Sequence, residues 1–90
     1  MAFAFRWIEW NVEKCECHGV RPRDAEEVVN AASPPYPRRI DNGKIMVRGQ
    51  TFSGRYLQVI YLLELDDVIF VIHARPLSDK EKWQLKRTRR

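Results

Sequence analysis

His73 and Arg75 follow the most apolar stretch of the chain, Val68 to Ile72, and their types suit chemistry on a phosphodiester. An imidazole can give or take a proton near neutral pH, and a guanidinium binds phosphate through two parallel hydrogen bonds. Alternate residues of a regular strand share a face. This spacing predicts that His73 and Arg75 emerge on one side of a sheet, together with Ile69 and Val71.

Further cations and aromatic rings are expected near this strand end. Arg48 and Arg55 stand where neighbouring strands are predicted to end, and Tyr56 follows directly. Three polar or aromatic side chains come within range of His73 on the adjacent strand: Tyr56, Gln58 and Tyr61. Guanidinium groups bind phosphate and aromatic rings stack on unpaired bases, so such a surface suits RNA.

Metal-free cleavage of RNA needs a base for the 2′-hydroxyl, an acid for the leaving 5′-oxygen, and cations for the charge on phosphorus. We predict His73 or His18 as the proton carrier, with Arg48, Arg55 and Arg75 binding the phosphate. Structural roles are open for the same residues: His73 could donate to a backbone carbonyl and His18 could cap a helix. Arg75 could pair with one of three carboxylates, those of Asp66, Asp67 and Glu81.

Composition places the chain among ordinary globular domains with an anionic partner. The 90 residues form one domain, 31% of them are charged, and the net charge is +4. Much of the excess lies in a basic tail that includes Lys80. No apolar run reaches the ~20 residues of a membrane span, and no signal-peptide pattern is present, so a cytoplasmic location is expected.

The cysteines favour neither a disulfide nor a metal. Cys15 and Cys17 are too close for a useful disulfide, and with His18 they offer too few ligands for tetrahedral zinc unless His73 joins them. We predict no metal and no cofactor.

The elements that must position these residues form a small α+β domain. A short helix is predicted from Asn11 to Cys17, closed by Gly19, and a second helix begins at Pro22. Three or four antiparallel strands follow, with a tight turn at Asp41-Asn42-Gly43 and two central strands, Arg55 to Glu64 and Val68 to Ala74. Ser78 and Glu81 form a capping box that starts a last helix.

Three stretches resemble the BrnT-like toxins in the order that family shows. "EWNVEKCECHGV" is similar to the family's Trp-Asn or Trp-Asp opening with a helix that ends in His-Gly-Val. "GQTFSGRYLQVIY" resembles its Gly-x-Thr…Gly-Arg-x-Leu strand. "VIHARPLSDKEKW" resembles its Ile-x-Ala-Arg strand and the capped basic helix after it.

This resemblance implies a RelE-like fold and a metal-independent endoribonuclease toxin of a type II toxin–antitoxin pair. The implied partners are an RNA substrate and a cognate antitoxin, with the protein existing as a homodimer or in a toxin–antitoxin hetero-oligomer. The site residues that the resemblance implies are His18, Arg55, Arg75 and Glu81, with Lys14 and Gln50 beside them. The alternative hypothesis is a non-catalytic module that binds RNA or a protein through the same basic sheet face.

Overall fold

The computed structural model describes residues 3–88 and confirms the α+β class. Its α-helices and β-strands are α1 (Glu9–Glu16), α2 (Pro22–Asn30), β1 (Arg38–Arg39), β2 (Ile45–Gln50), β3 (Tyr56–Leu63), β4 (Ile69–Pro76) and α3 (Asp79–Thr88). The strands form one antiparallel sheet in the order β1-β2-β3-β4. None of the helices within residues 3–88 is long and apolar enough to cross a membrane.

The helix ends lie close to where the sequence predicts them. Gly19 has a φ of +75° after α1, and Val20 N–H donates to the Cys15 carbonyl at 3.1 Å, which satisfies a carbonyl of the last turn. Pro22 is the first residue of α2. At the start of α3, the capping box is confirmed: Ser78 N–H donates to the Glu81 carboxylate at 2.8 Å, and Glu81 N–H donates to the Ser78 hydroxyl at 3.2 Å.

The main core lies between α1 and α2 and one face of the sheet. Its fully buried side chains include Cys15 from α1, Val28 from α2, Val47 from β2, Val59 from β3 and Val71 from β4. We call this the helix face of the sheet. Alternate residues of β3, such as Gln58 and Ile60, point to the opposite face, which α3 covers in part and which we call the open face.

A β-bulge overturns the predicted alternation in β4. Ile60 is opposite His73 but the next residue, Tyr61, is opposite Val71, so Ile72 is the extra residue. One unpaired residue reverses the sides of everything that follows it. Ala74 therefore packs in the core with Val71, whereas His73 and Arg75 lie on the open face. The prediction that His73 and Arg75 share a face with Ile69 and Val71 is wrong.

Two related predictions also need correction. Tyr61 is buried in the core beneath the helices, so it does not face His73. Strand β4 is not central: it is the last strand of the sheet and pairs with β3 on one side. On its other side, among residues 3–88, Phe5 of the N-terminal segment bridges Ile69 in parallel. Arg6 N–H donates to the Ile69 carbonyl at 2.9 Å, and this short pairing covers the beginning of the β4 edge.

Two of the three hairpin turns in the sheet that the structure describes, the first and the last, have similar geometry but different residues. In the first, Lys44 N–H donates to the Asp41 carbonyl at 3.1 Å, and Asn42 and Gly43 have φ values of +58° and +74°. These positive angles confirm the predicted primed turn. In the last, between β3 and β4, Asp66 and Asp67 have φ values of +60° and +59° without a glycine.

Candidate functional site

Three polar side chains form a row across the open face. Arg48 of β2 is opposite Gln58 of β3, and Gln58 is opposite Arg75 of β4. The Arg48 Nε donates to the Gln58 Oε1 at 2.9 Å. The predicted meeting of Arg48 and Arg75 on one sheet face is therefore present, with Gln58 between them. From the sequence, Gln58 is predicted only as a neighbour of His73. A glutamine in a largely apolar strand is itself a signal, because a buried amide needs a polar partner.

Glu81 of α3 binds both arginines of this row. Its carboxylate accepts two bonds from Arg75, both of 2.8 Å, and a third from the Arg48 Nη2 at 3.2 Å. The Arg75 guanidinium and the Ser78 backbone N–H lower the pKa of Glu81 to about 2. Two guanidinium groups share one carboxylate, so this cluster of Arg48, Arg75 and Glu81 keeps one net positive charge.

The two histidines of the chain are in contact, although they lie 55 positions apart in sequence. Their ring centroids are separated by 5.2 Å, with an angle of 66° between the ring planes. His18 is exposed in the turn after α1, and His73 is half-buried on β4. Burial lowers the pKa of His73, and repulsion by His18 and Arg75 lowers it further. The lowered pKa favours the neutral form of the His73 imidazole, which lies beside a second imidazole and a guanidinium.

Arg55 contacts Gly19, the residue after His18, and is turned towards α2. Its Nη1 donates to the Gly19 carbonyl at 2.9 Å and lies 3.5 Å from the Asp24 carboxylate. Asp24 also accepts from the Arg21 side chain and backbone at the start of α2. Burial alone would raise the pKa of Asp24, but Arg21 and Arg55 bring it below its ordinary value. Sequence reasoning missed Asp24, which pairs with Arg55, and Arg21, which pairs with the same carboxylate.

Three of the remaining predicted site residues lie on β2, β3 and α3. Gln50 and Tyr56 are opposite each other, one row along the open face from Arg48 and Gln58. The Gln50 Nε2 donates to the Gly54 carbonyl at 3.2 Å, and the Lys86 ammonium lies 5.3 Å from the Tyr56 ring centroid. Lys80 is exposed on α3.

Lys14, another predicted site residue, lies near Trp10 on α1. Its ammonium lies 5.5 Å from the centroid of the Trp10 indole. The candidate site thus combines His18, His73, Arg48, Arg75 and Glu81 at its centre, with Arg55 at one side.

The cysteines behave as separate groups. Cys15 is buried in the core, where burial raises the pKa of its thiol to about 11, as expected for a packing residue. Cys17 is exposed, and its thiol lies 3.2 Å from the Lys14 carbonyl. Within residues 3–88 no three His, Cys, Asp or Glu side chains are grouped closely enough to hold a metal ion.

Comparison with known proteins adds no family assignment. No protein-family model matches the chain, and no curated protein matches it.

Proposed function

We propose that this protein is a cytoplasmic endoribonuclease toxin that cleaves RNA without a metal ion and is neutralised by a cognate antitoxin. The observation that carries the proposal is the contact between His18 and His73 at 5.2 Å, next to Arg75 on the open face. Two imidazoles and a guanidinium are the groups needed to move two protons and to stabilise charge on phosphorus.

In the proposed reaction His73 is the base. Its lowered pKa keeps it neutral near pH 7, so an imidazole nitrogen can take the proton of the 2′-hydroxyl. The 2′-oxygen then forms a bond to phosphorus as the bond from phosphorus to the 5′-oxygen breaks. His18 acts as the acid and gives a proton to the leaving 5′-oxygen. The products are a 2′,3′-cyclic phosphate and a free 5′-hydroxyl group.

The arginines stabilise the extra negative charge in the transition state. Arg75 and Arg48 together carry two positive charges against the single charge of Glu81, so the cluster can still attract a phosphate. Glu81 holds both guanidinium groups in fixed positions, which limits the entropy lost when a substrate binds. The likeness to BrnT-like toxins in three stretches of the sequence is a second, independent support.

The direct experiment is incubation of purified protein with total RNA in the presence of a chelator. Cleavage is expected for the wild type, with products that end in a 2′,3′-cyclic phosphate, and a loss of about 10²-fold or more for His73→Gln and Arg75→Ala. Arg38→Gln is the matched control, because Arg38 is an exposed arginine on the edge strand β1. Intact RNA with wild-type protein, or equal cleavage by all variants, would contradict the proposal.

The toxin part of the proposal needs two further observations. Expression should arrest growth, and Arg75→Ala should relieve the arrest while the variant still folds. A short reading frame that abuts this one should encode a protein that binds the toxin and blocks cleavage. Normal growth with intact cellular RNA would argue against a toxin.

One structural observation favours the alternative, a non-catalytic RNA-binding or protein-binding module. Arg48 and Arg75 are both engaged by Glu81, and Arg55 is engaged by Asp24. A module of this kind would bind RNA with a strong dependence on salt and would yield no cleavage products. The chelator experiment therefore separates the two functions.

A further inference from the structure

Trp10 forms an aromatic surface at the seam between α1 and β4. Its indole lies nearly parallel to the Phe70 ring, with 6.0 Å between the centroids and 8° between the planes. Phe70 pairs with Leu62 on β3 and is almost fully buried, whereas Trp10 remains 47% exposed. A large ring fixed from one side and open to solvent on the other can receive a second flat ring.

Trp10 belongs to a stripe on α1 that leads to the histidine pair. Trp10 and Lys14 are four residues apart on one side of α1, at an interval of about 6 Å, and His18 follows four residues later in the turn after the helix. Both ends of the stripe contact β4: Trp10 contacts Phe70, and His18 contacts His73. The interval is similar to the distance between neighbouring phosphates of an extended single strand.

The charge on this stripe suits a phosphate. Lys14 places its ammonium 5.5 Å from the indole centroid, and among residues 3–88 it makes no ion pair with a carboxylate. The other nearby cation, Arg6, lies 4.3 Å from the Phe70 centroid but is bound by Glu64 at 2.8 Å. Lys14 is therefore the cation beside Trp10 that can pair with a ligand.

We infer that Trp10 and Lys14 form a nucleotide subsite for single-stranded RNA, in which a base stacks on the indole and Lys14 binds the adjoining phosphate. The strand then runs along α1 towards His18 and His73. The inference rests on the proposed function and adds to it a path and a substrate class. Bases in a duplex are paired and stacked on each other, so a stacking surface selects unpaired RNA.

The test compares oligonucleotides of two lengths that cannot be cleaved. Fluorescence anisotropy measures the binding of a labelled 2′-O-methyl hexanucleotide. The binding of a 2′-O-methyl dinucleotide is measured by its competition with the labelled hexanucleotide. The hexanucleotide can reach from the histidines to Trp10, whereas the dinucleotide cannot. Trp10→Ala should lower the affinity for the hexanucleotide at least about fivefold and leave the affinity for the dinucleotide unchanged. Trp10→Phe, which keeps an aromatic ring, should retain most of the affinity.

Trp83→Ala is the matched control. Trp83 is also exposed, at 59%, and also has a cation over its ring, with Arg87 at 4.8 Å. It lies two residues after Glu81, so it points away from the sheet side of α3. Its replacement should change neither affinity. Unfolding midpoints of all variants show whether they are folded at the assay temperature.

Three results would overturn the inference. The first is that the hexanucleotide binds Trp10→Ala as tightly as wild type. The second is that Trp10→Ala and Trp83→Ala lower the affinity for the hexanucleotide equally. The third is that an acidic peptide binds between α1 and β4 in place of the oligonucleotide. Wild-type cleavage of the unmodified hexanucleotide is assayed separately. If that cleavage fails while the length-dependent effect of Trp10 remains, the ribonuclease proposal is refuted and the RNA subsite stands.

Discussion

Replacing Glu81 by glutamine removes the negative charge from between two arginines and keeps the shape of the side chain. Glutamine can still accept from the Ser78 backbone N–H, so the start of α3 is preserved. What is lost is the ion pair with Arg75, whose two bonds are 2.8 Å each, and the longer contact with Arg48 at 3.2 Å. The variant therefore isolates the charge of Glu81 from its role in capping.

The pKa of Glu81 sets the magnitude of this effect. A fall from 4.5 to about 2 corresponds to about 3 kcal/mol in favour of the charged form in the folded state. The carboxylate is 17% exposed, so some of this interaction is screened by solvent, and we expect Glu81→Gln to lose about 2 kcal/mol at neutral pH. For a domain of this size the melting temperature should fall by roughly 10 °C.

The pH dependence has a definite sign. The folded-state pKa lies below the unfolded value, so the contribution of Glu81 is complete above about pH 5 and is lost as the pH falls towards 2. Urea unfolding, followed by circular dichroism at several pH values, should show wild type and Glu81→Gln converging between about pH 5 and pH 3. Glutamine does not titrate, so the difference between the two proteins reports Glu81 alone.

Glu64→Gln is the control for a more exposed ion pair. Glu64 also accepts two bonds of 2.8 Å from one arginine, Arg6, but that pair lies at the surface. Its loss should cost clearly less stability than the loss of Glu81. Equal unfolding midpoints for wild type and Glu81→Gln at neutral pH would refute the reasoning. A difference that stays constant down to pH 3 would also refute it.

Three further predictions concern single residues. Asp67→Gly should stabilise the protein by about 1 kcal/mol, since Asp67 adopts a φ of +59° that glycine accepts freely; unfolding in urea measures this, and unchanged or reduced stability contradicts it. The pKa of His73, followed by NMR of its ring protons, should lie below 6.5 and rise in Arg75→Gln, because a repelling cation is removed; a value unaffected by the substitution contradicts this assignment. A thiol reagent near pH 8 should modify Cys17 rapidly and spare Cys15, whose buried thiol has a pKa raised to about 11; equal rates in the folded protein would show that Cys15 is accessible.

Local features of this chain were predictable because each depends on a few neighbouring residues. Gly19 marks the end of α1, and Asn42-Gly43 marks a primed turn because these residues tolerate positive φ. Ser78 and Glu81 begin α3 through a reciprocal pair of hydrogen bonds. Apolar strands and capped helices were enough to indicate a small α+β domain, and the structure confirms it.

The candidate site depended on contacts between distant segments. An unpaired Ile72 in β4 moves His73 and Arg75 to the open face, and no local pattern in the sequence marks that bulge. The sequence also did not determine the ion-pair partner of Arg75. Three carboxylates could have paired with Arg75, and the position of α3 over the sheet selects Glu81.

The sequence by itself determined which elements form, where the helices begin and end to within about two residues, and which residue types are available for proton transfer and phosphate binding. Tertiary structure decided the face on which His73 lies, its contact with His18, and the sharing of Glu81 by two arginines. The physical reason is that helix caps and turns are satisfied within a few residues. Strand register and long-range ion pairs depend instead on how whole elements pack together.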